Sequence, residues 1–286
     1  FIEPDSLDDV EITYTFELNG ASVGRPEAVG KYTAKAALAD GVAAEFSNYG
    51  IQLPDPTTLE ITSAAATALT VTPVGPDLTY NGQEQALFTG VTVTLNGETL
   101  SADDYKIVYS LDTGLAEAST VIPTGKDADT YTVYYRVEPD NYEPEESSFN
   151  VTIAPAELTI TRTLNGTKIY DGNKDLTEGQ LTNVRVAGVV SDEQISAEAT
   201  SSSYAAADAG DRDITIIYTL KAEAGEDLRN YTVQVTDSGT FTEISDDTPV
   251  ATTEISETAA GEITPKTVTI TPDKDDLTKV YGEDDP

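Results

Sequence analysis

The chain has 286 residues, of which 51 are acidic and 16 basic, giving a formal charge of −35 and a pI near 4.1. It contains no Cys, His, Met or Trp, which removes thiol and imidazole nucleophiles, imidazole general bases and the usual soft metal ligands. So acidic a surface repels phosphate backbones and anionic headgroups, so neither nucleic acid nor direct membrane-surface binding is expected, and no apolar stretch is long enough to span a bilayer or form a signal-peptide core.

Disorder is the competing explanation for such acidity, but 38% hydrophobic residues and 15 tyrosines, set in alternating strings, argue for folded strands. In chain order the period-two segments are Val10 to Leu18, Val91 to Leu95, Tyr105 to Tyr109, Thr130 to Val137, Ser148 to Ile153, Asp213 to Leu220 and Tyr231 to Val235. Their Val, Ile, Thr and Tyr content suits a pleated, half-buried surface. Between them stand Asn19-Gly20, Asn81-Gly82, Asn96-Gly97, Asn165-Gly166 and Asp171-Gly172, dipeptides that take positive φ at little cost and reverse the chain. Helical periodicity is nearly absent. Residues 242–261, rich in Thr, Glu, Asp and Ala, read as an exposed loop or a two-stranded excursion.

The strings repeat. Leu69-Thr70-Val71-Thr72-Pro73 returns as Leu158-Thr159-Ile160-Thr161-Arg162 and as Val268-Thr269-Ile270-Thr271-Pro272. Each copy leads to a tyrosine-led glycine turn: Tyr80-Asn81-Gly82, Tyr170-Asp171-Gly172 and Tyr281-Gly282. A second landmark, a turn opening a strand, occurs at Val29-Gly30-Lys31-Tyr32, Ala128-Asp129-Thr130-Tyr131 and Gly210-Asp211-Arg212-Asp213. A third is the pair Asn48-Tyr49, Asn141-Tyr142 and Asn230-Tyr231. Successive copies are joined through Ile153-Ala154-Pro155-Ala156 and Ile263-Thr264-Pro265-Lys266, without a Gly/Ser spacer, so these seams bend little. The earliest seam, Ile61-Thr62-Ser63-Ala64, lacks the proline and is expected to be looser.

The expected fold is all-β, with tandem Ig-like β-sandwich modules in an elongated array. Residues 1–68 form a divergent module that begins inside or at the edge of the repeat, 69–157 an Ig-like sandwich, 158–267 a sandwich with an insertion near 242–261, and 268–286 the start of a further repeat. The chain reads as a piece of a longer polypeptide, with any anchor outside it. Leu53-Pro54-Asp55-Pro56-Thr57 has the wrong spacing for a sortase signal and reads as a loop.

Thr167-Lys168-Ile169-Tyr170-Asp171-Gly172-Asn173, with Asp208-Ala209-Gly210-Asp211, Asn230-Tyr231 and Ile263-Thr264-Pro265-Lys266, resembles the YDG-type repeat of large bacterial surface proteins. Thr278-Lys279-Val280-Tyr281-Gly282 is similar to the opening of an MBG-type repeat, and residues 69–157 look like a relative with Asn81 in place of the Asp. The resemblance implies Ig-like modules of a bacterial cell-surface adhesin, extracellular and non-enzymatic. It brings no catalytic residue, cofactor or metal with it.

Among candidate site residues, the tyrosines of the Asn-Tyr pairs and glycine turns suit sugar or protein binding, but recurrence at equivalent places favours packing at strand ends. Asp127 with Asp129, Asp208 with Asp211 and Asp213, and Asp273 with Asp275 and Asp276 offer oxygen ligands for Ca²⁺; none has EF-hand or RTX spacing, so solvated turn carboxylates are preferred. Lys106 and Lys168 are candidates for an intramolecular isopeptide bond. Asn150-Val151-Thr152, Asn165-Gly166-Thr167 and Asn230-Tyr231-Thr232 match a glycosylation sequon incidentally. The functional expectation is the stalk and display region of an adhesin that binds host glycoprotein, as a monomer; three stiff modules would reach about 100 Å. The alternative is a dedicated binding module for a host protein such as immunoglobulin or mucin, carried by one divergent repeat.

Overall fold

The computed structural model describes residues 10–190, 192–236, 241–246, 248–271 and 280–284. It is all-β, with one four-residue α-helix, Val42–Glu45, and short 3₁₀ turns among the described residues. Contacts divide the chain into two compact units: residues 1–76, 86–123 and 131–151 form the first, and 77–85, 124–130 and 152–286 the second.

In the first unit, strands Ile12–Leu18, Ala21–Val23, Gly30–Leu38 and Thr57–Ile61 make one antiparallel sheet. Asn19 and Gly20 both take positive φ, at 51° and 82°, as a two-residue hairpin needs to match the twist of its strands. The buried side chains here are Tyr32, Ala34, Val42 and Phe46. Further along, Leu69–Val74 pairs with Gly90–Leu95, and Tyr105–Ser110 pairs with Thr130–Pro139. Phe88 packs edge-on against Tyr109 and Phe149, with ring centroids 5.1 and 5.3 Å apart, over a core of Leu87, Val93, Val133, Tyr135 and Val137. Burial raises the Tyr109 hydroxyl to a pKa of about 12, with the nearby Tyr105 adding to the shift.

The second unit carries two four-stranded sheets. One orders Leu181–Ala187, Ala156–Leu164, Tyr231–Val235 and Thr242–Glu243; the other orders Thr167–Ile169, Thr252–Thr264, Gly210–Ala222 and Ile195–Tyr204. Leu158, Ile160 and Val233 on the first sheet, and Ile214, Ile216, Tyr218, Leu220 and Ile263 on the second, are fully buried, each such aliphatic side chain contributing about 1.5–3 kcal/mol. The fully buried tyrosines keep their hydroxyls bonded, as an amphipathic ring must. Tyr204 donates to the Gly166 carbonyl at 3.1 Å and accepts from Gln180 Nε2 at 2.9 Å, and Tyr218 donates to Glu257 at 2.6 Å.

Of the two readings of segment 242–261, an exposed loop or a two-stranded excursion, the structure holds two strands. Thr242–Glu243 is a short edge strand, but Thr252–Thr264 is a thirteen-residue strand in the heart of its sheet, paired with Gly210–Ala222 over twelve positions. Its inward positions are Thr253, Ile255, Glu257, Ala259, Gly261 and Ile263, of which Ile255, Glu257 and Ile263 are buried. Gly261 lies there because a Cβ would come within 2.5 Å of Ile214 Cδ1 and 2.9 Å of Tyr204 Cε1. Glu257 lies there because Arg162 faces it: Nε donates to Oε2 at 3.0 Å, and Nη2 donates to Oε1.

Candidate functional site

Two of the three Asn-Tyr pairs share a defined geometry. In the first unit Asn141, at φ 66°, accepts the Val29 amide on Oδ1 at 2.7 Å. Its own carbonyl accepts the Ala64 amide at 3.0 Å, and the Ala64 carbonyl accepts from Glu143 at 2.8 Å, so Ala64 and Tyr142 form a parallel bridge. In the second unit Asn230 accepts the Ala128 amide on Oδ1, again at 2.7 Å, and Ala156 pairs in parallel with Tyr231.

Val29 and Ala128 hold the same place in their repeats. Each immediately precedes the residue that meets the last strand: Gly30 opposite Ile61, and Asp129, whose carbonyl accepts from Ile153 at 2.9 Å. Ala64 and Ala156 also correspond, three residues beyond Ile61 and Ile153. The same two backbone segments are therefore clasped by an Asn-Tyr pair belonging to the next copy of the repeat. The seams differ in extent. Ala156 opens a five-residue parallel ladder running to Ile160 opposite Val235, whereas Ala64 makes an isolated bridge before the chain turns at Ala68, at φ 54°.

Around Asn230 the second unit adds a cluster of aromatic hydroxyls. Tyr80 and Tyr231 meet edge to face, 5.5 Å between centroids at 77°, and both are buried. Both hydroxyls donate to the Glu193 carboxylate, Tyr80 to Oε1 and Tyr231 to Oε2. Burial, and then the bond to Glu193, raises both phenols above their ordinary range. Asp227 sets the approach: its carboxylate accepts from the backbone amides of Arg229 and Val250, each at 3.0 Å, and from the Arg229 guanidinium at 2.7 and 2.9 Å. Burial works against that carboxylate's charge, but the Arg229 side chain and the two amides outweigh it and hold its pKa below the usual range. The 3₁₀ turn Leu228–Asn230 so capped presents Asn230 to Ala128.

Of the two isopeptide candidates, Lys168 is enclosed by its own turn. Its side chain is 3% exposed, and Nζ donates to Asp171 Oδ1 at 2.9 Å, the Asn173 carbonyl at 2.9 Å, Asn173 Oδ1 at 3.0 Å and the Asp175 carbonyl at 2.8 Å. It also lies 5.4 Å from the centre of the Tyr204 ring. Asp171 is held below its usual pKa, first by Lys168 and then by the Asn173 amide. Lys106 is exposed on its strand.

Asp127 accepts from Asn230 Nδ2 at 3.3 Å, and Asp129 accepts the Thr130 amide at 2.7 Å. Asp208, Asp211 and Asp213 are exposed; among the described residues no three acidic side chains converge as metal ligands. Asp273, Asp275 and Asp276 lie outside the described residues, as do Thr278 and Lys279. Of the sequon asparagines, Asn230 is 3% exposed and fully engaged in the contacts above, and Asn150 accepts from Thr132 at 3.1 Å.

A groove of about 380 Å³ opens between the sheets of the second unit, lined by Arg162, Val233, Val235, Thr242, Ile255 and Glu257 among others. Its two charged groups are committed to each other. Sequence reasoning missed Glu193, Asp227 and Glu257, since none falls in a repeated motif and acidic residues are plentiful throughout the chain.

Residues 154–240 match the family described as the YDG domain. The chain therefore carries a YDG-type domain in its second half. No curated protein matches the chain.

Proposed function

We propose that this polypeptide is a non-enzymatic spacer and display region of a bacterial cell-surface adhesin, built of Ig-like modules of the YDG and MBG type. The observation that carries the reading is the repeated clasp: Asn141 on Val29 and Asn230 on Ala128, both at 2.7 Å and both across one seam of the repeat. A contact that recurs at two successive seams serves the array and not a single ligand, and stacking of neighbours is how repeat proteins gain order along their length. The heavy negative charge keeps such modules soluble and mutually repelling, and the missing imidazole and thiol groups fit a part without chemistry of its own.

The test compares single repeats with the whole chain for binding to host glycoproteins by biolayer interferometry, alongside small-angle scattering of chains with one, two or three repeats. A spacer gives no repeat-specific binding and a particle that lengthens by a constant step. Binding confined to one repeat supports a second reading, the dedicated binding module. One observation favours residues 10–68 for that role: Ile12 and Tyr14, 43% and 61% exposed, point to the same face of their strand, an apolar surface of the kind used for protein contact.

A further inference from the structure

The clasp occurs twice, and its receiving half occurs a third time. Tyr170 repeats Tyr80: each donates its amide to the carbonyl one residue beyond the last-strand isoleucine, Tyr170 to Thr264 and Tyr80 to Ala154, both at 2.8 Å. The strand before each tyrosine pairs in parallel with that same last strand, Lys168 opposite Ile263 and Leu78 opposite Ile153. Gly210 faces Ile263 as Gly30 faces Ile61, so Ala209 repeats Val29 and Ala128.

The difference is occupancy. Tyr80 is 4% exposed beneath Tyr231, whereas Tyr170 is 40% exposed and the adjoining Ile169 65% exposed. The Ala128 amide is bonded by Asn230; the Ala209 amide meets no acceptor among the described residues. Downstream, Val268 and Ile270 are 81% and 90% exposed, while their counterparts Leu158 and Ile160 are fully buried against the strand that follows Asn230.

We infer that the surface formed by Ile169, Tyr170 and Ala209 is a docking face for one further repeat module, which lays its Asn-Tyr pair on it with the asparagine amide oxygen on the Ala209 N–H and the tyrosine ring on Tyr170. The occupant is defined by the two occupied cases: it carries an Asn-Tyr pair, a carboxylate placed like Glu193 to accept the Tyr170 hydroxyl, and a strand to cover Val268 and Ile270. Each module would give an Asn-Tyr pair at one seam and receive one at the next, so the contact is heterologous. The inference rests on the clasp that supports the proposed function and extends it from description to assembly rule.

The test keeps the whole chain and inserts a second copy of residues 158–267 between Thr267 and Val268. Amide hydrogen exchange then reads Ala128 and both copies of Ala209. Ala209 of the first copy should exchange at least about tenfold more slowly than in the parent chain, as expected for a difference of about 1.4 kcal/mol in opening free energy, while Ala209 of the second copy stays fast. Asn230→Ala in the second copy alone should return the first Ala209 to its parent rate and leave Ala128 protected. Equal exchange of the first Ala209 in parent and extended chains overturns the inference. Should Ala128 in the parent chain be unaffected by Asn230→Ala, the clasp itself fails, and the two failures are thereby told apart.

Discussion

Breaking the buried Arg162–Glu257 pair one side at a time should be far more damaging than removing both sides. The two side chains are 12% and 7% exposed, Arg162 donates from two nitrogens, and Tyr218 donates to the same carboxylate at 2.6 Å. Glu257→Leu strands a guanidinium and a phenol in the core, and Arg162→Met strands a carboxylate, so each should cost about 3–5 kcal/mol. In a unit of roughly 150 residues each kilocalorie lowers the melting temperature by about 2–4 °C, so each single variant should melt about 6–20 °C lower. The double variant fills the same volume with apolar atoms. It leaves one orphan, the Tyr218 hydroxyl, at about 1–3 kcal/mol, offset by the recovered desolvation of two charges, and should fall within about 2 kcal/mol of the parent. Urea unfolding of the four proteins closes the cycle. A double variant as unstable as the sum of the singles would refute the argument, because the carboxylate on an inward strand position would then have no need of its partner.

Three further outcomes are expected. Tyr80, Tyr218 and Tyr231 have phenols raised by burial and by glutamate acceptors, so the folded state holds these protons more tightly than the unfolded chain; stability is complete below about pH 10 and falls as pH rises through it, which urea midpoints between pH 8 and 11.5 would reveal, and a flat profile would contradict. Asp227 has the opposite sign, its folded pKa depressed, so its contribution is present above about pH 3.9 and lost as pH falls; Asp227→Ala should cost about 1–2 kcal/mol at pH 7 and blunt the acid branch of the stability curve, and an unchanged acid branch would discount the cap. Gly188 sits at φ 88° with room for a Cβ only 2.2 Å from the Glu157 carbonyl oxygen, so Gly188→Ala should destabilise by about 1–3 kcal/mol; a neutral result by thermal melting would deny the close approach.

Six of the seven alternating strings read from the sequence lie wholly in strands, the seventh, Val10 to Leu18, enters its strand at Ile12, and Tyr231–Val235 matches to the residue. Alternation was legible in Asp213 to Leu220 and Tyr231 to Val235 because one face of each strand is buried and the other wetter, which writes the pleat into the residue order. It was illegible at Thr252–Thr264, where the inward face carries Glu257 and Gly261 for specific partners, and at Ile195–Tyr204, whose Ser and Thr content hides the period. Asn-Gly turns were legible at Asn19-Gly20 and Asn96-Gly97, both with two positive φ values. Asn165-Gly166 has another cause: a Cβ on Gly166 would lie 2.7 Å from the Ala260 carbonyl oxygen. The clasp itself was half visible. Its Asn-Tyr pairs stood out by recurrence, but the atoms they hold are backbone amides some 100 residues away, at |i−j| of 112 and 102, which residue identity does not encode.

The two tyrosine turns show how one backbone solution is reached by different chemistry. Lys168 and Leu78 hold the same position opposite the last strand, and Asp171 and Asn81 follow three residues later in each case. Where the buried position carries an ammonium, the turn supplies a carboxylate and two carbonyls to it. Where it carries a leucine, the turn residue is a neutral amide, whose Oδ1 accepts the Gln83 amide at 2.9 Å, as Asp171 Oδ1 accepts the Asn173 amide at 3.1 Å. The shared function of the acid or amide is thus to close the turn, and its charge follows the charge of the residue it covers. An unpaired ammonium left at the buried position would cost several kcal/mol. The turn Asp171-Gly172-Asn173-Lys174-Asp175 thus wraps the Lys168 Nζ.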